Sequence, residues 1–235
     1  MIAPESERKR GIPAPRPRDA ATLIIYRPLK SSVEILMGLR HKSHKFLPDR
    51  YVFPGGGVER GDSRVRVASP VSERTQRLLM RKTKKARARG LVAAAVRETF
   101  EETGLIVGGK DPDPAKSVPK KWSKFFQTGF APNLKDLDYI ARAVTPHWRP
   151  IRFNARFFMV NAEKLTGVLR GNGELLNLQY FNMEKALELE LPLITKRVLE
   201  LVALHAGNPA YHKVAELDQI VFFKHNGEYH DMIKE

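Results

Sequence analysis

Three glutamates, Glu98, Glu101 and Glu102, fall within AAVRETFEETGL, residues 94–105. On a helix they stand at i, i+3 and i+4, so their carboxylates gather on one face. Arg97 lies four residues before Glu101 and can orient that carboxylate. A solvated acidic face is the ordinary explanation of such a run. Here, however, the glutamates crowd one another in the last turns of the helix, where the backbone dipole disfavours negative charge. A divalent cation would resolve that conflict, and hard oxygen donors of this kind suit Mg2+, with Mn2+ as a substitute. Upstream, FPGGGVERGDS (53–63) offers a second element of chemistry. Pro54 fixes one φ, while Gly55, Gly56 and Gly57 let the backbone approach a ligand closely. Taken alone, three such glycines also read as a plain tight turn.

The elements that must position these groups follow from periodicity and turn chemistry. GLVAAAVRETFEETG (90–104) predicts a helix stopped at Gly104. ATLIIYR (21–27) and VEILMGLR (33–40) read as strands joined by a Pro-Leu-Lys-Ser-Ser turn, and YVF (51–53) as a short third strand. LIVGG after the helix is strand-like, DPDPAKSVP is a loop, and KKWSKFFQTGF has the composition of a short helix. LDYIARAVTP, NARFFMVNA and LLNLQYFN read as strands, and a helix begins near Met183. ITKRVLELVALHAG (194–207) is an amphipathic helix ending at Gly207, and Asn226-Gly227 marks a hairpin. The class is α/β or α+β with a mixed sheet.

Together the glycine segment and the glutamate segment resemble the Nudix box: Gly, five residues, Glu, seven residues, then Arg-Glu-hydrophobic-x-Glu-Glu-x-Gly-hydrophobic. Gly56 matches the first glycine, and Asp62 stands where the first glutamate belongs. RETFEETGL supplies Arg97, Glu98, Glu101, Glu102, Gly104 and Leu105 in the required spacing. There are three departures: Asp62 for glutamate, Thr99 for an aliphatic residue, and 34 residues rather than seven between Asp62 and Arg97. A longer loop at that point adds little closure entropy, so the halves need only meet in space. HKFLPDRYVFPGGGVE, AAVRETFEETG and AVTPHWRPIRFNARFF further resemble the branch that includes peroxisomal coenzyme A diphosphatases, whose box is similarly split. The resemblance implies an α/β/α sandwich around a mixed sheet, spanning roughly residues 20 to 205. It implies hydrolysis of a nucleoside diphosphate linked to another moiety, coenzyme A or a related ADP derivative. Glu98, Glu101, Glu102 and the Gly55 carbonyl would hold metal, Arg97 would hold the glutamates, and Glu101 or Glu174 would serve as general base. Gly56, Gly57, Arg40, Arg149, Arg152 and Arg156 are candidates for substrate contact, with Phe153, Phe157 or Trp148 for base stacking. His41, His44 and His147 show no ligand spacing.

Composition bounds what remains. The chain of 235 residues is 42% apolar, as expected of a soluble globular protein, and no apolar run approaches a membrane span. It has no cysteine, which excludes disulfides and thiolate metal sites and fits a cytoplasmic protein. With 41 basic and 26 acidic residues the net charge is +15, but ten of the cations lie between Arg64 and Arg89 against only Glu73. The expected organisation is a disordered lead-in at 1–20, a domain over 21–207 with a basic insertion at about 63–90, and a C-terminal extension with a hairpin at 208–235. The expected partner is a small-molecule diphosphate; a homodimer is left open. Two alternatives accompany the enzyme: a Nudix-like nucleotide-binding module that has lost hydrolysis, and a nucleic-acid binder using the insertion. The latter lacks interleaved aromatics for stacking. From about Ser72 the insertion has helix-forming composition, and as a whole it reads either as a disordered, solvated loop or as a charged segment that concentrates anionic substrate.

Overall fold

A computed structural model of the chain describes residues 13–30, 32–44, 46–206, 219–225 and 230–235. The first apolar run forms β1 (Arg18–Pro28), which turns back into β2 (Val33–Arg40), followed by β3 (Tyr51–Val52) and β4 (Gly55–Gly57). The insertion contributes α1 (Glu73–Met80) and leads into α2 (Lys85–Thr103), after which come β5 (Leu105–Ile106) and β6 (Gly108–Lys110). A 3-10 turn (Lys120–Trp122) runs into α3 (Ser123–Phe126), then β7 (Phe130–Pro132), β8 (Asp138–Val144), β9 (Phe153–Asn161) and β10 (Thr166–Gly167). The remainder is β11 (Leu175–Asn182), α4 (Met183–Glu188), α5 (Leu193–Ala206), β12 (Val221–His225) and β13 (His230–Lys234).

Nine of the described strands share one mixed sheet in the order β11-β2-β1-β9-β8-β12-β13, with β3 on β2 and β4 on β1. β1 lies parallel to β9, and β8 parallel to β12; the other neighbours are antiparallel. Alternation along β1 sends Leu23 and Ile25 into one core and Ile24 into the other. The first core is closed by α2, whose Leu91–Val96 run is fully buried. Three consecutive alanines in that run let the helix lie close on the sheet. The second is closed by α4 and α5 through Met183, Ala186, Val198, Leu199 and Val202. The architecture is therefore an α/β/α sandwich.

Three features differ from expectation, and one falls outside the described residues. β1 begins at Arg18, so the lead-in ends sooner than residue 20; residues 1–12 lie outside the described residues. Helix α2 begins five residues before Gly90, because Lys84 is extended and Ala88 N–H bonds back to the Lys84 carbonyl at 2.9 Å. The three glycines form a strand, not a turn: Gly55, Gly56 and Gly57 pair with Thr22, Ala21 and Ala20. Gly207 and Asn226-Gly227 lie outside the described residues, but the hairpin arms β12 and β13 pair with each other and β12 joins β8. The C-terminal segment thus extends the central sheet.

Candidate active site

α2 carries the three glutamates to the edge of β4. Gly104 ends the helix in the left-handed region at φ 72°, and a Cβ there would meet the Val168 carbonyl at 2.8 Å. β4 approaches so closely that a Cβ on Gly56 would lie 2.6 Å from the Glu98 carboxyl carbon. Gly55 N–H donates to Glu102 Oε2 at 2.8 Å. The absence of side chains on β4 is what lets strand backbone and carboxylates share one space.

Arg97 joins the two half-boxes. It is only 2% exposed, and all five of its N–H groups are engaged. Nη1 donates to Glu98 Oε1 at 2.8 Å and Glu101 Oε2 at 3.2 Å, and Nη2 to the Gly57 carbonyl at 2.9 Å. Nε and Nη2 fork onto Asp62 Oδ1 and Oδ2 at 2.9 and 3.1 Å. Asp62 is fully buried and also accepts from Trp122 Nε1 at 2.9 Å and Glu59 N–H at 2.8 Å. It therefore anchors Arg97 from behind.

The electrostatics of the cluster follow from burial. Burial lifts the Glu98 carboxyl to about 7, against the opposing charge and hydrogen bond of Arg97 and with Glu101 and Asp62 adding to the rise. Burial lifts Glu102 further, to about 8; the Gly55 N–H and the Arg40 charge offset it in part, and Glu98 and Glu174 add to it. Arg97 is held above its ordinary value: burial would lower it, but the Asp62 hydrogen bond and the charges of Glu98, Asp62 and Glu101 outweigh that.

A crystal structure of a Nudix hydrolase from Alicyclobacillus acidocaldarius matches this arrangement of elements with a TM-score of 0.63 and 27% identity, covering 81% of this chain and 93% of the other. The fold is that of a Nudix hydrolase. With the carboxylates of the box in place, it makes the chain a pyrophosphate-hydrolysing enzyme. A MutT protein from Methanosarcina mazei (15% identity, 79% and 93% covered, TM-score 0.46) and an Ap4A hydrolase from C. elegans (17%, 81% and 100%, 0.41) are more distant and add no weight. No family model and no curated protein sequence matches the chain.

Around this Nudix helix the candidate substrate residues separate. Arg40, at the end of β2, and Glu174, just before β11, both act on the Glu102 carboxyl. Arg40 Nη2 donates to His44 Nδ1 at 3.0 Å, while its buried Nε has no hydrogen-bond partner. Arg156 is 2% exposed and bonds Asp19 at 2.7 Å and the Asn154 carbonyl at 2.8 Å, so it is committed within the fold. Arg152 donates to the carbonyls of Thr145 and Pro15. Arg149 acts on His225, against which Trp148 packs at 5.4 Å. Phe157 is a core residue, whereas Phe153 meets Phe46 edge-on and lines a cleft of about 590 Å³ with Arg18, Asp19, Gly57, Glu59 and Arg87. His41 bonds Ser43, and His147 packs on Trp148.

The basic insertion is folded, and neither a solvated loop nor a free charged arm describes it. Ser72 caps α1, and the Thr75 hydroxyl donates to the Leu137 carbonyl at 3.0 Å. Leu78 and Leu79 are buried. Arg66 forks onto Asp111 at 2.7 and 2.6 Å and lies over the Phe126 ring. Arg89 donates to the carbonyls of Ser63 and Val65, Arg87 pairs with Asp19 at 2.7 Å, and Lys82 pairs with Glu235 at 3.0 Å. Trp122 and Asp19 were invisible as site-building residues in the sequence, because neither belongs to the box.

Proposed function

We propose that the chain is a divalent-cation-dependent hydrolase of a nucleoside diphosphate linked to another moiety, with coenzyme A, its acyl esters or a related ADP derivative as the substrate class. The observation that carries this reading is the convergence of Glu98, Glu101 and Glu102 on β4. Each carboxylate has one oxygen bonded within the protein and a second with no protein partner among the described residues. Among the described residues, no group of three or more His, Asp or Glu side chains is placed so that it could hold a metal ion as it stands. The free oxygens nevertheless make an all-oxygen donor set that fits Mg2+, and two buried carboxyls with raised pKa values are groups that a cation would relieve. With the Gly55 carbonyl they would hold the metal, which when bound neutralises the diphosphate and activates the attacking water.

The chain's own residues do the rest. Arg97 aims Glu98 and Glu101 and does not touch substrate. Arg40 presents its guanidinium to the phosphoryl oxygens, and Glu101, the most exposed of the three glutamates (31%), takes the proton of the attacking water where its free oxygen is left to the water and Glu98 and Glu102 hold the cation. Glu174 is the alternative base. The cleft beside Gly57 receives the moiety flanking the diphosphate. Against a nucleic-acid role, four of the ten cations of the insertion, Arg66, Arg87, Arg89 and Lys82, are bonded to the protein itself.

Turnover of coenzyme A, ADP-ribose, a dinucleoside polyphosphate and NADH, each with and without Mg2+, tests the reading. Expected is cation-dependent cleavage, with coenzyme A or an acyl ester among the better substrates. No turnover of any of them overturns the proposal; coenzyme A as the poorest of the four overturns the substrate class alone.

A further inference from the structure

Arg97 can aim Glu98 and Glu101 only if something fixes Arg97. That role falls to Asp62, whose two oxygens each accept two hydrogen bonds: Arg97 Nε and Trp122 Nε1 on Oδ1, Arg97 Nη2 and Glu59 N–H on Oδ2. One of these four donors comes from outside the box. Trp122 lies 60 residues further along the chain, in the 3-10 turn before α3, and is fully buried. Its ring is wedged edge-on against Phe125 and Phe126 at 5.3 and 6.4 Å, and Pro119 at the start of the same turn closes on Gly61. The indole therefore has one orientation, and its single N–H points at the carboxylate. Aspartate at position 62 is shorter by a methylene than the glutamate of the usual box. The indole occupies the space beyond the shorter side chain and supplies a donor to the oxygen that faces it.

We propose that Trp122 is a positioning residue for the carboxylate cluster: its indole N–H fixes Asp62, and through Asp62 the Arg97 guanidinium that aims Glu98 and Glu101. The inference rests on the reading of those glutamates as the metal-holding groups, and its consequences are separable from turnover. Cation binding to Glu98 and Glu101 changes their hold on Arg97, and the change passes through Asp62 to the indole proton. A buried tryptophan with a purely packing role would feel none of this.

The test uses the full chain labelled with 15N-tryptophan. There are two tryptophans, so Trp148→Phe assigns the indole resonances. Addition of Mg2+ alone is expected to shift the Trp122 indole resonance and leave that of Trp148 in place. Trp122→Phe, which keeps an aromatic ring in the cluster, should lower kcat about tenfold and weaken Mg2+ binding by calorimetry about as much, with KM changed less than twofold, as for loss of one hydrogen bond to a charged group. Asp62→Glu alone should impair the enzyme, because the added methylene meets the indole. The same change in the Trp122→Phe background should restore most of the lost Mg2+ affinity, since the longer carboxylate then has room. A Trp122 resonance unmoved by saturating Mg2+ overturns the proposal even if Trp122→Phe does not fold. So does a folded Trp122→Phe enzyme with wild-type kcat and Mg2+ affinity, or a double variant whose losses simply add. A wild-type chain that binds no Mg2+ overturns both this inference and the functional reading, whereas Mg2+ binding with the expected shift but no turnover overturns only the latter.

Discussion

Glu102 concentrates the electrostatic conflict of the site. It is 4% exposed, sits in the last turn of a 19-residue helix with no basic residue there, and has Glu98 for a neighbour. A carboxyl whose folded pKa is about 8 binds a proton in the native state at pH values where the unfolded chain has lost it. Metal-free stability is therefore expected to fall as pH rises from about 4.5 to about 8 and to level off above that. Glu102→Gln removes the titration while keeping an oxygen for the Gly55 N–H. Its melting temperature without metal should equal or exceed that of the wild type, by a margin that grows toward pH 8 at about 2–4 °C per kcal/mol for a chain of this size. With Mg2+ present, the same variant should lose turnover by orders of magnitude. Thermal scans across pH with and without Mg2+ check both halves, and a Glu102→Gln melting temperature below wild type at pH 8 without metal contradicts the account. Glu98, Glu101, Glu102 and Arg97 were legible at this scale because their spacing is local to one helix. Trp122 was not, because its partner is 60 residues away and a lone indole in KKWSKFF carries no sign of which acceptor it will meet.

At the scale of elements, strands β1, β2, β8, β9 and β11 were readable because alternation and β-branched residues act over a few positions. The insertion was the hard case. Its composition gives ten cations, but their meaning depends on partners elsewhere: Asp111 for Arg66, Asp19 for Arg87 and Glu235 for Lys82. Its backbone is also tied down, with Ala68 N–H on the Pro132 carbonyl and Leu134 N–H on the Ser69 carbonyl. α1 covers the first core with Leu78 and Leu79, and Arg89 pulls the start of α2 onto Ser63 and Val65 beside Asp62. The segment builds the site from behind. Replacing residues 64–84 with a seven-residue connection should accordingly lower the melting temperature by more than about 10 °C, since two buried leucines and a bidentate ion pair are lost together. It should reduce kcat at every salt concentration. A shortened enzyme with wild-type kcat and a deficit in KM that disappears with added salt would restore the electrostatic-capture reading and refute the structural one.

At the scale of the whole molecule, a chain of net charge +15 holds together against its own repulsion where its few carboxylates are shared among several cations. Glu235 is the clearest case. Its side chain is 14% exposed, accepts a fork from Arg142 Nε and Nη2 at 2.9 Å each, and pairs with Lys82 Nζ at 3.0 Å. Its backbone closes the last ladder contact with Ile220 at 2.9 and 3.1 Å. One residue thus joins β8, the β12–β13 extension and the end of the insertion helix. Burial would raise its pKa, but hydrogen bonds from Arg142 and Lys82 outweigh that and hold it below the usual carboxylate range. For a depressed carboxyl the stabilisation is present above the unfolded value and is lost as pH falls through the folded one. Glu235→Gln should therefore cost about 1–3 kcal/mol at pH 7, the range for a charge-assisted fork that leaves Arg142 half-buried without its counter-charge. The lost stability should appear as a melting temperature several degrees lower, with kcat unchanged because Glu235 does not touch the glutamate cluster. As pH falls through the depressed folded-state value the wild-type carboxyl is itself protonated, and the two proteins should converge. A constant offset between them from pH 7 down to the lowest pH at which both stay folded would show that the side chain stabilises the edge by shape alone and that its charge binds nothing together.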